Sequence, residues 1–233
     1  MIYPTVRTIQ LTHFGREKQP VIVIDNFLPD PDVLIDDAAM LSFCPMGPHY
    51  PGVRAVVPPI LVERFLHDLV GLIADTFGIT MAFSEVESWY SIVTKRPEAL
   101  TPIQRLPHFD SGDPNRIALL LYLARSEQGG TSFFRHRATG LESVAEDVQE
   151  VYAAAIEADV SKHGLPDPAY IAGDTPMFER IAHYQARFNR AIIYRGNTLH
   201  CADIPPDMPL PADPERGRLT VNSFINGRPA PAT

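Results

Sequence analysis

The residues with the clearest chemical potential in this sequence are His108 and Asp110, separated by Phe109. In an extended chain, residues i and i+2 project to one face. The imidazole and the carboxylate therefore converge, while Phe109 points away. These are two members of a 2-His-1-carboxylate set, which occupies one face of a non-haem iron(II) ion and leaves positions open. The third member must come from elsewhere, and His200 is the distal candidate. The other six histidines have no partner at ligand spacing, so they are expected not to be ligands. A further chemical group opens the last strand-like segment. Residues 218–225 alternate strictly, with Arg218, Thr220, Asn222 and Phe224 on one face. Arg218 offers a planar two-donor fork for a carboxylate, and Thr220 adds a hydroxyl in phase with it. Arg216, on the adjoining turn, is a rival for the same role.

The elements that must position these groups can be read in order. An edge strand is expected over 2–11, followed by the β-branched run Val21-Ile22-Val23-Ile24 as a buried strand. Asp30 as N-cap with Pro31 at the first helical position predicts a helix over 31–41. Residues 43–59 are rich in Pro and Gly and read as a long ordered loop. The spacing of Leu61, Phe65, Leu69, Leu72, Ile73 and Phe77 predicts one amphipathic helix over 60–77, ended by Gly78. Strands are expected over 81–86 and 88–93, the second carrying Trp89 and Tyr90. The apolar run 117–123 reads as a strand buried on both faces, and Gly129-Gly130 as a hairpin turn into a returning strand. A helix over 141–160 and a second from Thr175, with Pro176 at its first position, define a helical insert over about 139–189. Strands resume at Ala191, and a turn at 195–197 leads to His200.

Composition narrows the classes of function. The chain has 233 residues, 45% hydrophobic and 21% charged, enough for one domain over 1–233 with a sizeable core. A net charge of -8 and the lack of any Lys/Arg run argue against a nucleic-acid partner. Two cysteines, Cys44 and Cys201, exclude a disulfide framework or a cysteine zinc site. No apolar run has membrane-spanning length, and residues 1–19 have no signal-peptide core. The expectation is a soluble cytoplasmic protein without a membrane partner.

The order of these motifs resembles the 2-oxoglutarate-dependent non-haem iron(II) oxygenases, in particular their prolyl-hydroxylase-like branch. The family pattern of His-x-Asp, a distal His and Arg-x-Ser/Thr on the final strand falls on His108, Asp110, His200, Arg218 and Thr220. Residues 119–123 followed by Gly129-Gly130-Thr131 resemble that branch's hairpin, and Val23 to Leu28 before a helix resembles its opening. The resemblance covers most of 21–225. It implies an α+β fold: a double-stranded β-helix (jelly-roll) core with N-terminal helices and the helical insert. It also implies Fe(II), 2-oxoglutarate as cosubstrate and O2, with metal ligands His108, Asp110 and His200. Arg218 and Thr220 would bind the cosubstrate, with Tyr90 a further contact. The expected activity is hydroxylation of a C–H bond in an amino acid, peptide or small natural product. Asp110 disfavours halogenation, since halogenating relatives leave that ligand position to chloride. Substrate contacts are placed by position alone, at Trp89, Arg54, Arg135 and His136. The alternatives are a non-redox cupin-like metal enzyme, or a jelly-roll binding module that retains the triad.

Overall fold

The computed structural model describes residues 6–81 and 86–230. In chain order the elements are β1 (Thr8–Phe14), β2 (Gln19–Asp25), α1 (Asp32–Ala39), β3 (Gly52–Val56), α2 (Pro59–Leu66), α3 (Val70–Phe77), β4 (Ile79–Thr80) and β5 (Val86–Val93). There follow β6 (Arg116–Tyr122), β7 (Gly130–His136), α4 (Gln149–His163), β8 (Phe178–Gln185), β9 (Arg190–Arg195), β10 (His200–Asp203), β11 (Leu219–Asn226) and β12 (Arg228–Pro229). A seven-stranded sheet has the order β1-β2-β9-β6-β11-β5-β3, a second sheet the order β10-β7-β8, and β12 pairs with β4. Neighbouring strands run antiparallel throughout the large sheet and the second sheet. Among the described residues the architecture is mostly antiparallel sheet with few helices, and no helix is long and apolar enough to cross a membrane.

The period-2 alternation of strand side chains divides the core into two layers. On one face of the large sheet Ile22, Ile24, Ile117, Leu119, Leu121 and Val221 pack against Leu34, Phe65, Leu66, Ile73 and Phe77 of the helices. On the other face Val21, Val23, Ala118, Leu120, Ile192 and Tyr194 meet Phe14 and Phe133. The run 117–123 is apolar throughout because β6 is covered on both sides. Fully burying a side chain such as Leu119 contributes roughly 1.5–3 kcal/mol.

Local structure departs from expectation in identifiable ways. The helix expected over 60–77 is interrupted by a 3-10 turn at His67–Leu69, although Phe65, Leu69, Ile73 and Phe77 all stay buried. Gly78 ends α3 at φ 66, the left-handed conformation that favours glycine. Residues 2–5 of the expected edge strand and 82–85 of the expected strand over 81–86 lie outside the described residues.

The insert over 139–189 needs the largest correction. Its first helix begins at Gln149 rather than 141, because Val144 N–H donates to Asn197 O and Ser143 bridges Thr198. Its expected second helix is strand β8. Thr175-Pro176 has the composition of a helix start, and Thr175 Oγ1 does accept the Phe178 N–H. The Thr175 N–H, however, donates to Phe178 O, which closes a turn, and the chain returns along the free edge of β7. Seven cross-strand partners on β7 outweigh the local helix signal. The insert's helical elements are α4 and the 3-10 turn Glu146–Val148 that leads into it.

Candidate metal centre

The distal histidine arrives by backbone pairing. His108 N–H donates to His200 O at 2.9 Å, and His200 N–H donates to His108 O at 2.8 Å. Residues directly opposite in an antiparallel pair project their side chains to one face. The two imidazoles accordingly lie with ring centroids 4.4 Å apart. Asp110 is fixed by its own N–H, which donates to Gly196 O at 2.7 Å. Ligating atoms of His108, Asp110 and His200 all fall within 4.8 Å of one another. His108 Nε2 stands 3.8 Å from Asp110 Oδ1, and His200 Nε2 stands 3.6 Å from Asp110 Oδ2. Phe109 turns the other way and packs on Tyr152.

The protonation chemistry suits a cation. His200 Nδ1 lies 2.8 Å from Thr198 O, a pure acceptor, so Nδ1 carries the proton and Nε2 presents a lone pair. Burial, followed by the nearby His200 and Arg54, holds the His108 pKa well below the usual histidine value, which keeps its ring neutral. Its ring opens onto the solvent of the cavity, while His200 is 6% exposed at the side chain. Burial raises the Asp110 pKa against the opposing pull of His200, Arg116 and Arg54. Asp110 Oδ2 is buried with no hydrogen-bond partner. A buried carboxylate oxygen left unpaired costs free energy that a bound cation recovers. The donor set and the orphaned oxygen thus fit a divalent metal of the iron type.

These residues form part of the wall of a cavity of about 1130 Å³. Arg218 lines the same space and is 3% exposed. Its Nη2 donates to Gly130 O at 2.9 Å, its guanidinium lies 5.8 Å from the Tyr122 ring centroid, and its Nε has no partner. Among the described residues no carboxylate pairs with it. Thr220 is on the same wall, with its hydroxyl 2.8 Å from Asn222 Oδ1 and 3.3 Å from Ser91 O. Asn222 and Phe224 complete the cavity face of β11, as the alternation of 218–225 requires.

Of the other expected site residues, Trp89 and Arg54 line the cavity. Tyr90 does not: it lies in the layer beneath the helices, its hydroxyl donating to Asp37 Oδ2 at 2.8 Å. Adjacent strand residues face opposite ways, so Trp89 and Tyr90 cannot share one cavity. Arg135 is buried in an ion-pair cluster with Glu142 and Glu179, and His136 bonds Thr139 and Asp159 at 3.0 Å each. Both lie outside the cavity, at the far end of β7. Arg216 is exposed on a separate groove, so of Arg216 and Arg218 it is Arg218 that lines this cavity. Sequence reasoning missed Tyr194, whose ring centroid is 4.9 Å from that of His200. Tyr50, within the 43–59 loop, also lines the cavity. Tyr50 interacts with both Arg54 and Arg218, and burial pushes its hydroxyl up to about 12. The available signal for Tyr194 was its phase with Ile192, two residues earlier on β9.

A family model described as "Family of unknown function (DUF6445)" matches residues 5–225. No curated protein matches the sequence. Among solved structures, a prolyl-4-hydroxylase from Pseudomonas putida is similar at 13% identity and TM-score 0.48, over 91% of this chain and 95% of that one. HygX from Streptomyces hygroscopicus, solved with nickel and 2-oxoglutarate, is similar at 11% identity and TM-score 0.47, over 90% and 84%. SnoK, an alpha ketoglutarate dependent carbocyclase from nogalamycin biosynthesis, is similar at 14% identity and TM-score 0.46, over 92% and 84%.

Proposed function

We propose that this chain, which belongs to the DUF6445 family, is an iron(II)- and 2-oxoglutarate-dependent oxygenase that hydroxylates a C–H bond. The observation that carries the reading is the coexistence, in one cavity, of a His-Asp-His set and a buried arginine that has no anion. An unpaired buried guanidinium costs several kcal/mol unless a partner arrives. In this reading the partner is the distal carboxylate of 2-oxoglutarate.

The strand arrangement supports the finer fold assignment. Strands β9-β6-β11-β5 form one sheet, and β8-β7-β10, continued by the His108 bridge, form the other, as in a double-stranded β-helix. His108, Asp110 and His200 would hold the metal, and Arg218 the cosubstrate. Thr220 would have to turn its hydroxyl away from Asn222 to donate to it. When bound, iron with 2-oxoglutarate and O2 supplies an oxidant able to take hydrogen from an unactivated C–H bond, releasing succinate and CO2. The remaining work belongs to the chain. His200 would present the lone pair of Nε2, Asp110 would fill the third protein position and so leave no place for chloride, and Trp89 would help enclose the substrate. The protein is expected to act in the cytoplasm on a small molecule or peptide.

The test is succinate formation from 2-oxoglutarate with Fe(II) in air. Turnover that depends on iron and is lost in His200→Ala is expected. Metal binding without any consumption of 2-oxoglutarate would instead identify a cupin-like enzyme or a binding module.

A further inference from the structure

We infer that Arg54 is a substrate-recognition residue of this cavity and that the substrate carries a free carboxylate. The inference rests on the oxygenase reading and adds a substrate class to it. Arg54 lies on β3, where its backbone is held from two sides: it pairs with Ser91 of β5, and it exchanges two hydrogen bonds with Cys44, at 2.8 and 3.0 Å. Its guanidinium lies 4.1 Å from the Tyr50 ring centroid, and its Nε is buried without a hydrogen-bond partner. Among the described residues no carboxylate forms an ion pair with it.

The other arginines of the cavity are occupied. Arg116 donates to Asn226 Oδ1 at 2.6 Å and pairs with Glu87 at 3.3 Å. Arg105 donates to the carbonyls of Leu100 and Pro166. Among the described residues Arg105, like Arg218, bonds only carbonyls, whereas Arg54 has no hydrogen-bond partner at Nε and its guanidinium lies over the Tyr50 ring. Arg54 lines the same cavity as His108, Asp110 and His200.

The guanidinium decides what Arg54 binds. A carboxylate matches its two-donor fork and supplies the counter-charge that it receives from no ion pair among the described residues. A neutral amide leaves it without that counter-charge. Trp89 supplies an apolar wall for the rest of such a molecule.

The test uses the anaerobic protein with Fe(II) and 2-oxoglutarate, titrated with N-acetyl derivatives of the common amino acids, each as free acid and as carboxamide. The readout is perturbation of the visible band of the iron chelate, with succinate formation in air as a second measure. At least one free acid should perturb the band, and its carboxamide should bind about ten- to a hundredfold more weakly. Arg54→Gln should bring the acid down to the level of the amide while the chelate band and 2-oxoglutarate affinity persist. Arg54→Lys, which keeps the charge and loses the fork, should fall between them. It carries the same comparison if Arg54→Gln does not fold. A normal wild-type band with no acid in the panel binding, or with acid and amide binding alike, overturns this inference alone. So does loss of the band in folded Arg54→Gln, which would give Arg54 to the cosubstrate. A wild-type protein with no band removes the oxygenase reading, and this inference with it.

Discussion

Replacing Arg218 by Met separates a residue kept for stability from one kept for an anion. In the ligand-free protein the guanidinium is 3% exposed, has one hydrogen bond to Gly130 O, and faces Tyr122 at 5.8 Å. The hydrogen bond is worth about 1.5–3 kcal/mol and the ring contact about 0.5–1 kcal/mol. Against these stands a desolvation penalty of several kcal/mol for an ion with no counter-charge. Methionine fills similar volume without that penalty, so ligand-free Arg218→Met should be about 1–2 kcal/mol more stable than wild type. At roughly 2–4 °C per kcal/mol for a chain of this size, Tm should rise by several degrees. Adding 2-oxoglutarate at about a hundred times Kd should stabilise the wild type by about 2.7 kcal/mol and the variant by almost nothing, so the order of stability reverses. Anaerobic thermal unfolding with and without 2-oxoglutarate, in the presence of Mn(II), reads both effects. A ligand-free variant that is less stable by 2 kcal/mol or more, yet gains the full wild-type increment from 2-oxoglutarate, would refute the reasoning.

Three further outcomes follow from the placement of the residues. Tyr90→Phe removes the hydroxyl bonded to Asp37 and should cost about 1 kcal/mol in urea denaturation while leaving 2-oxoglutarate affinity unchanged. A tenfold loss of affinity would return Tyr90 to the site. Arg135→Ala strands the fully buried Glu142 carboxylate and should cost about 3–5 kcal/mol, with no effect on cosubstrate binding measured by calorimetry. Burial holds His136 below the ordinary histidine pKa despite Asp159. Below about pH 6.5 the unfolded chain therefore binds the extra proton first, and stability should fall as pH drops through that value. Tm measured across this range should show a weaker dependence in His136→Gln.

The site was legible in the sequence where chemistry and strand period coincide. His108, Asp110 and the face Arg218, Thr220, Asn222, Phe224 each follow from residue type and a period of two. The pairing of His108 with His200 was not legible, because the bridge joins segments separated by β6, β7, α4, β8 and β9. The large-sheet strands 21–24 and 117–122 showed as β-branched or continuously apolar runs, since both of their faces are buried. Strand β8 failed for the opposite reason: its residues are largely half-exposed, and Thr175-Pro176 is as good a helix start as a turn. Arg135 and His136 were placed by position alone and Tyr90 by resemblance, where the period of two already puts Tyr90 opposite Trp89. The interruption at His67–Leu69 left no mark in the apolar spacing.

The central claim is that one cavity holds both the metal and the cosubstrate. Anaerobic addition of Fe(II) and 2-oxoglutarate tests it directly through the visible charge-transfer band of the chelate. The account predicts a band in the wild-type protein that requires both components, disappears in His200→Ala, and in Arg218→Met needs far more 2-oxoglutarate. A folded wild-type protein that binds Fe(II) but gives no band at any 2-oxoglutarate concentration would contradict it.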